Sequence, residues 1–391
     1  MAGEKRHIWY IDVLRVISAV GVIYMHTAAS GLRAGVLGAA PYVTRGWHFM
    51  NLVTSFAFTA VPLFFMISGF LLFSDEKTQD VSYLFRHRLP RLLIPLAVWT
   101  LIYAAWLSFR SGEGAFLAGV LTRLRDALYD PVNISLWFLY ALIILYILSP
   151  FLYAGLHALR PDGHKLVLGV IALVSLRSAL AALLPDRLGG YLSLYAVKAF
   201  QALGGNLLLM LLGWYLGNWE KRLPKAALWG AAAGTWLLIV IGTYVRTRLN
   251  GYYDPAFQTQ SAGFEVLLAS CVFLLAKQSF QRPSRLLRAV PIVPLTLPIY
   301  LMHALALLAM YLFIHFRYEA HPAEGKGGAV LPVTAATAAA FTASLTARNA
   351  VMTKQKKVNI SSSSGGGSGG GGHSGGGGGG GFSGGGGSHG F

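Results

Sequence analysis

Long apolar runs separated by short polar and basic loops recur along most of the chain, and their length is the main structural signal. A helix that crosses a hydrocarbon core of ~30 Å needs about 20 predominantly apolar residues. Runs of that size fall near residues 8–29, 50–73, 90–109, 134–157, 165–184, 199–218, 226–245, 260–276, 290–315 and 328–347. The pattern predicts an all-α membrane protein with about ten transmembrane helices, the eighth and tenth runs being the weakest. The first run is expected to remain as a helix rather than act as a signal peptide. It is too long, carries Asp12 and Arg15, and lacks a small-x-small cleavage site.

Composition sharpens this picture. Hydrophobic residues make up 55% of the chain and charged residues only 12%, against roughly 25% charged in soluble domains. The formal net charge of +17 raises the question of nucleic acid. However, the basic residues sit in short loops between apolar runs rather than in one patch or stripe, so no nucleic-acid partner is expected. With the N-terminus in the cytoplasm, 19 of the 32 Lys and Arg fall on the inside, among them Lys77, Arg160, Lys221 and Arg282. That bias predicts N-in and C-in. The one cysteine, Cys271, lies within an apolar run, which excludes a disulfide or a Cys-based metal site within one chain. It reads as a small buried apolar residue, and no metal is expected.

Residues 1–348 read as one membrane domain, with longer loops near 30–48, 110–133, 246–258 and 316–327 placed outside. Residues 349–391 turn basic and then almost wholly glycine and serine, a composition that cannot bury enough apolar area to offset chain entropy. The tail is expected to be disordered. No convincing repeat and no inverted pair of interrupted helices of the transporter type is visible.

Ionisable residues inside apolar runs are costly and therefore candidates for function. The first run carries Asp12, Arg15 and His26. Asp12 and Arg15 are three apart and can pair on one helix face. Eleven helical steps from Arg15 bring His26 back to within roughly 20° of the same face, about 16 Å along the axis. Such a helix offers a guanidinium near the cytoplasm and an imidazole deeper in the membrane. That suits an acyl-CoA, whose anionic nucleotide end and thioester end are comparably far apart. The plainer alternative is an interfacial ion pair and a histidine satisfied between helices. In the segment FRHRLPRLLIPLAVW, Arg86, Arg88 and Arg91 surround Pro90, which reads as the first turn of a helix. Helix dipole and arginines together would form an anion site there, although positive-inside anchoring accounts for any one of these arginines.

These residues resemble the acyltransferase-3 family of integral membrane acyltransferases. The resemblance is carried by Asp12-Val13-Leu14-Arg15 with His26, by Phe65-Met66-Ile67-Ser68-Gly69-Phe70, and by Arg88-Leu89-Pro90-Arg91. The family's signatures, an Arg or Lys separated by ten residues from a following His and an Arg-x-x-Arg motif, fall on Arg15 with His26 and on Arg88 with Arg91. Leu136-Trp137-Phe138-Leu139 and Ile299-Tyr300-Leu301-Met302-His303 also match. The first helix and VPLFFMISGF look most like the enterobacterial-common-antigen O-acetyltransferase branch.

The resemblance implies transfer of an acyl group, commonly acetyl from acetyl-CoA, to a hydroxyl of a cell-envelope glycan or its lipid-linked precursor, by a multi-pass protein of the bacterial inner membrane. His26 is expected to be the general base or a transient acyl acceptor. Arg15, oriented by Asp12, and Arg88 and Arg91 are expected to hold donor phosphates or neutralise developing negative charge, with Arg86 beside them in the cofactor-binding set. His303 is expected to orient the acceptor or to make a structural hydrogen bond, and Trp137 to be an interfacial aromatic or a pocket wall. Ser68 and Gly69 read as small residues for close helix packing, and Glu265 has no assignable partner. The rival reading is a transporter or flippase of a glycan or acylated precursor.

Overall fold

The structure is a computed structural model in which residues 7–37, 45–111, 115–184, 195–260, 262–282, 296–298 and 300–302 are described. The described residues are almost entirely helical and contain no strand. Backbone groups in hydrocarbon must be satisfied within their own segment, and the α-helix does this along its whole length. Six described helical segments are long and apolar enough to cross a membrane. Of the ten apolar runs, the last two fall mostly or wholly outside the described residues, as does the Gly/Ser-rich tail.

Helix α1 runs unbroken from Trp9–Leu37. The second apolar run, expected as one helix from residue 50, is two: α2 (Arg45–Ala57) and α3 (Ala60–Phe73). The break at Phe58 and Thr59 is stabilised by the Thr59 hydroxyl, which donates to the Phe56 carbonyl at 2.6 Å. Gly21 of α1 sits against this break, where a Cβ would lie 2.9 Å from Ala60 Cβ and 3.2 Å from the Ala57 carbonyl oxygen. The missing side chain lets α1 approach the α2/α3 junction.

The arginine-rich segment read as a loop followed by a helix N-terminus at Pro90 is instead continuous with the helix. After a 3-10 turn, Glu76–Gln79, the Asp80 side chain caps the true N-terminus by accepting from Tyr83 N at 3.0 Å. The chain then runs through α4 (Val81–Tyr83), a π-helical turn at Leu84–Arg88, and α5 (Pro90–Ser111). Proline inside a regular helix clashes with the carbonyl four residues back. The wide turn before Pro90, closed by Leu89 N donating to the Leu84 carbonyl at 2.9 Å, accommodates it. Pro90 therefore marks a bulge, and the anion site expected from a free helix terminus is not formed by this backbone.

Beyond α5, the 110–133 stretch contains a surface helix, α6 (Phe116–Asp126), which packs along α5. Helix α7 (Trp137–Ala158) carries Pro150, which leaves the Tyr146 carbonyl without its amide partner; the Ser149 hydroxyl supplies one at 2.7 Å. Then follow α8 (Pro161–Leu183), α9 (Tyr195–Asn218), α10 (Lys225–Asn250) and α11 (Gly263–Ser279). Gly251 ends α10 in the left-handed conformation, φ 72°, with its N–H on the Thr247 carbonyl at 3.0 Å.

The main core joins α1, α3, α7, α9 and α11. Its closest contact is the crossing of α3 and α9. A Cβ on Gly69 would lie 2.0 Å from the Met210 carbonyl oxygen, and one on Gly213 would lie 2.1 Å from that of Met66. Gly69 is thus a packing residue, as its sequence context predicts. At the opposite end of the molecule from the arginines, Gln258 in the return from α10 to α11 donates at 2.7 Å to Asn51 and Ser55 of α2. Asn51 in turn donates to the Val240 carbonyl at 2.9 Å. This buried network ties the loop to the helices beneath it.

Candidate active site

Asp12 and Arg15 lie one turn into α1, and Arg15 Nη1 approaches Asp12 Oδ1 at 3.4 Å. Asp12 is buried and also bonded by the ring of His7, whereas Arg15 is partly open. The pair is therefore asymmetric: its carboxylate is fixed within protein while its guanidinium can still receive another anion. Because α1 is unbroken between them, Arg15 and His26 retain a common face and a separation of about 16 Å. His26 is buried.

Arg88 is held in a fork. Its Nη2 donates to Asp75 Oδ2 at 2.8 Å and its Nη1 to Thr78 Oγ1 at 2.7 Å, while the Thr78 hydroxyl donates to the Leu72 carbonyl. The guanidinium also lies over the Tyr83 ring at 5.5 Å. Arg91, three residues on, is exposed and pairs with no carboxylate among the described residues. Arg86 is exposed too.

A residue that sequence reasoning missed joins these motifs. The phenol of Tyr146, midway along α7, lies within electrostatic reach of Arg88, Arg15 and Arg91 together. The arginine of the first motif and both arginines of the second thus bear electrostatically on one tyrosine. Three guanidiniums share two carboxylates, Asp12 and Asp75. The surplus positive charge makes the site one for an anion, and phosphate oxygens match guanidinium forks in particular. The signal available in sequence was the spacing of Tyr146, Tyr153 and His157, at seven and four residues on one face of an otherwise apolar helix.

The remaining expected residues are placed as follows. The Trp137 ring lies 6.3 Å from Phe65 and 6.1 Å from Phe138, within an aromatic cluster that also holds Phe64 and Tyr300. Tyr300 docks this cluster by donating to the Ser135 carbonyl, and Tyr103 donates to the Leu301 carbonyl at 2.9 Å. His303 lies outside the described residues. Glu265, in the first turn of α11, is fully buried, and neither carboxyl oxygen has a hydrogen-bond partner among the described residues. Cys271 is buried and free.

A family model described as an acyltransferase domain, Acyl_transf_3, matches residues 8–348. No curated protein and no solved structure matches the chain.

Proposed function

The chain belongs to the acyltransferase-3 family, and on that premise we propose that it takes acetyl from acetyl-CoA at the cytoplasmic face and delivers it to a hydroxyl of a cell-envelope glycan or its lipid-linked precursor. Membership implies a membrane acyltransferase and gives the transporter alternative no support. The observation that carries the finer reading is the gathering of Arg15, Arg88 and Arg91 around Tyr146, with His26 about 16 Å farther along the same face of α1.

In this reading the three arginines hold the donor phosphates, with Arg15 oriented by Asp12 and Arg88 by Asp75 and Thr78. Arg86, fully on the surface side, contributes general positive charge. The pantetheine arm extends along α1 and presents the thioester to His26. The imidazole takes the proton of the acceptor hydroxyl as its oxygen attacks the thioester carbonyl. The C–S bond breaks, and the departing CoA sulfur takes up that proton. Trp137 and His303 are read as orienting the acceptor. The chain is read as about ten spans, N-in and C-in, in a bacterial inner membrane, so that donor and acceptor meet from opposite sides.

The test is release of free thiol from acetyl-CoA by the detergent-solubilised protein supplied with an envelope-glycan extract. Wild type releases thiol, and His26→Ala is slower by at least ~100-fold while eluting as the same monodisperse species. A His26→Ala protein with near-normal rate removes His26 from the chemistry. Silence from wild type beside an active control enzyme removes acetyl-CoA as donor.

A further inference from the structure

Where α7 ends, α8 begins and α9 ends, five rings interlock. Tyr153 and His157 stack at 3.9 Å between centroids, and His157 meets Trp214 edge-on at 5.7 Å. His164 stacks on Trp214 at 6.0 Å, and Tyr215 packs edge-on against both Trp214 and His164. Interfacial aromatics that only anchor a helix point outward to headgroups. These rings come from three helices and turn toward each other, and Tyr153 is buried beneath them.

The hydrogen bonds assign the histidine edges. His157 Nδ1 lies 2.9 Å from the Tyr153 carbonyl. A carbonyl only accepts, so Nδ1 carries the proton and the Nε2 of the neutral ring is an acceptor. His164 Nδ1 is engaged by the Tyr215 hydroxyl at 2.9 Å. Neither Nε2 is bonded among the described residues. The cluster thus combines flat apolar faces with at least one acceptor edge.

Its position gives the ligand. Tyr146, Tyr153 and His157 form one stripe on α7, and His157 lies about 16 Å from Tyr146 toward the cytoplasm. A molecule whose anionic part reaches the arginines around Tyr146 would therefore lay its outer end on the rings.

Resting on the acyl-CoA reading, we propose that His157, His164, Trp214 and Tyr215 form the subsite for the adenine base of the donor. Bases stack on aromatic and histidine rings whatever their sequence context. The exocyclic amino group of adenine is a donor that matches the Nε2 of His157, whereas guanine presents a carbonyl oxygen at that edge. The base anchors the donor without touching the reacting atoms, so its loss weakens binding and leaves the chemical step alone.

Two measurements separate this proposal from the function it rests on. In equilibrium titration with adenosine 3′,5′-bisphosphate, which requires no acceptor and no transfer, Trp214→Leu binds about tenfold more weakly than wild type. The surface variant His157→Ala loses a similar factor. Inosine 3′,5′-bisphosphate, with a carbonyl in place of the amino group, binds wild type and His157→Ala alike. In transfer assays the same variants raise KM for acetyl-CoA about tenfold with kcat within about twofold, and leave use of S-acetylpantetheine unchanged. Equal binding of the bisphosphate by wild type and both variants, or equal losses with both thioesters, overturns the base subsite. Variant-sensitive binding of the bisphosphate without any acyl transfer supports the subsite and sinks the transferase reading instead.

Discussion

At the scale of single residues, the three motif arginines carry different loads although the sequence presents them as equals. Arg88 is committed on two sides, to Asp75 and Thr78, and Arg15 already leans on Asp12. Arg91 brings a charge to Tyr146 that no described carboxylate offsets. Arg86 is exposed as well. Charge-assisted hydrogen bonds contribute about 1.5–3 kcal/mol each, so Arg91→Ala should raise KM for acetyl-CoA by roughly 10–100-fold. Arg86→Ala should stay within about twofold, as an exposed charge lost from a screened surface. Steady-state kinetics with the two variants side by side decide this, and equal effects would return both arginines to topology alone. Spacing put Arg15 and His26 on one face of α1 from the sequence alone, because helical geometry fixes a face. Tyr146 was not legible, since its proximity to these arginines depends on how α7 packs against distant segments.

At the scale of elements, the decisive contact is the α3–α9 crossing, where backbone meets backbone. Ser68-Gly69 could be read as a packing site from α3 alone, but its partner could not be named. Gly69 packs on the Met210 backbone of α9, Gly213 of α9 packs in turn on the Met66 backbone of α3, and Gly217, four residues on, receives the Phe70 ring. Small residues four apart allow such approach in membranes, where association rests on van der Waals contact rather than on expulsion of water. Gly213→Ala places a methyl 2.1 Å from the Met66 carbonyl oxygen, so the helices must separate. Gly230→Ala of α10 meets nothing within 4 Å. The first variant is expected to melt at least several degrees lower in detergent, and the second to melt as wild type does, by size-exclusion thermal shift. The turn before α5 shows the converse failure of local reading. Pro90 is a sound signal for a first helical turn, and the π turn at Leu84–Arg88 is the alternative that sequence rules cannot distinguish from it.

For the whole molecule, apolar length does not tell a lipid-facing helix from a core one. The span Pro161–Leu183 is only 11% buried, whereas Gly46–Phe73 is 72% buried. Helix α11, whose run read among the weakest, has 17 residues and buries most of them, Glu265 and Cys271 included. A helix enclosed by protein can carry polar groups that lipid would reject. Apolar runs can be located from sequence, whereas which of them build the core depends on how they pack. The same logic ties sidedness to function. The arginines lie with the Asp75–Arg88 turn at one end of the bundle, and the α10–α11 return lies at the other. If donor and acceptor are to meet from opposite sides, these two ends must face different compartments. The single native cysteine is buried, so Cys271→Ala supplies a background in which introduced thiols report location. In that background Lys77→Cys, in the turn beside Arg88, should react with a membrane-impermeant maleimide only after cells are permeabilised. Tyr252→Cys, exposed in the α10–α11 return, should react on cells with a permeabilised outer layer and an intact inner membrane. The reverse pattern would put the arginines outside, where acyl-CoA is not supplied, and the site would then need a different anionic ligand.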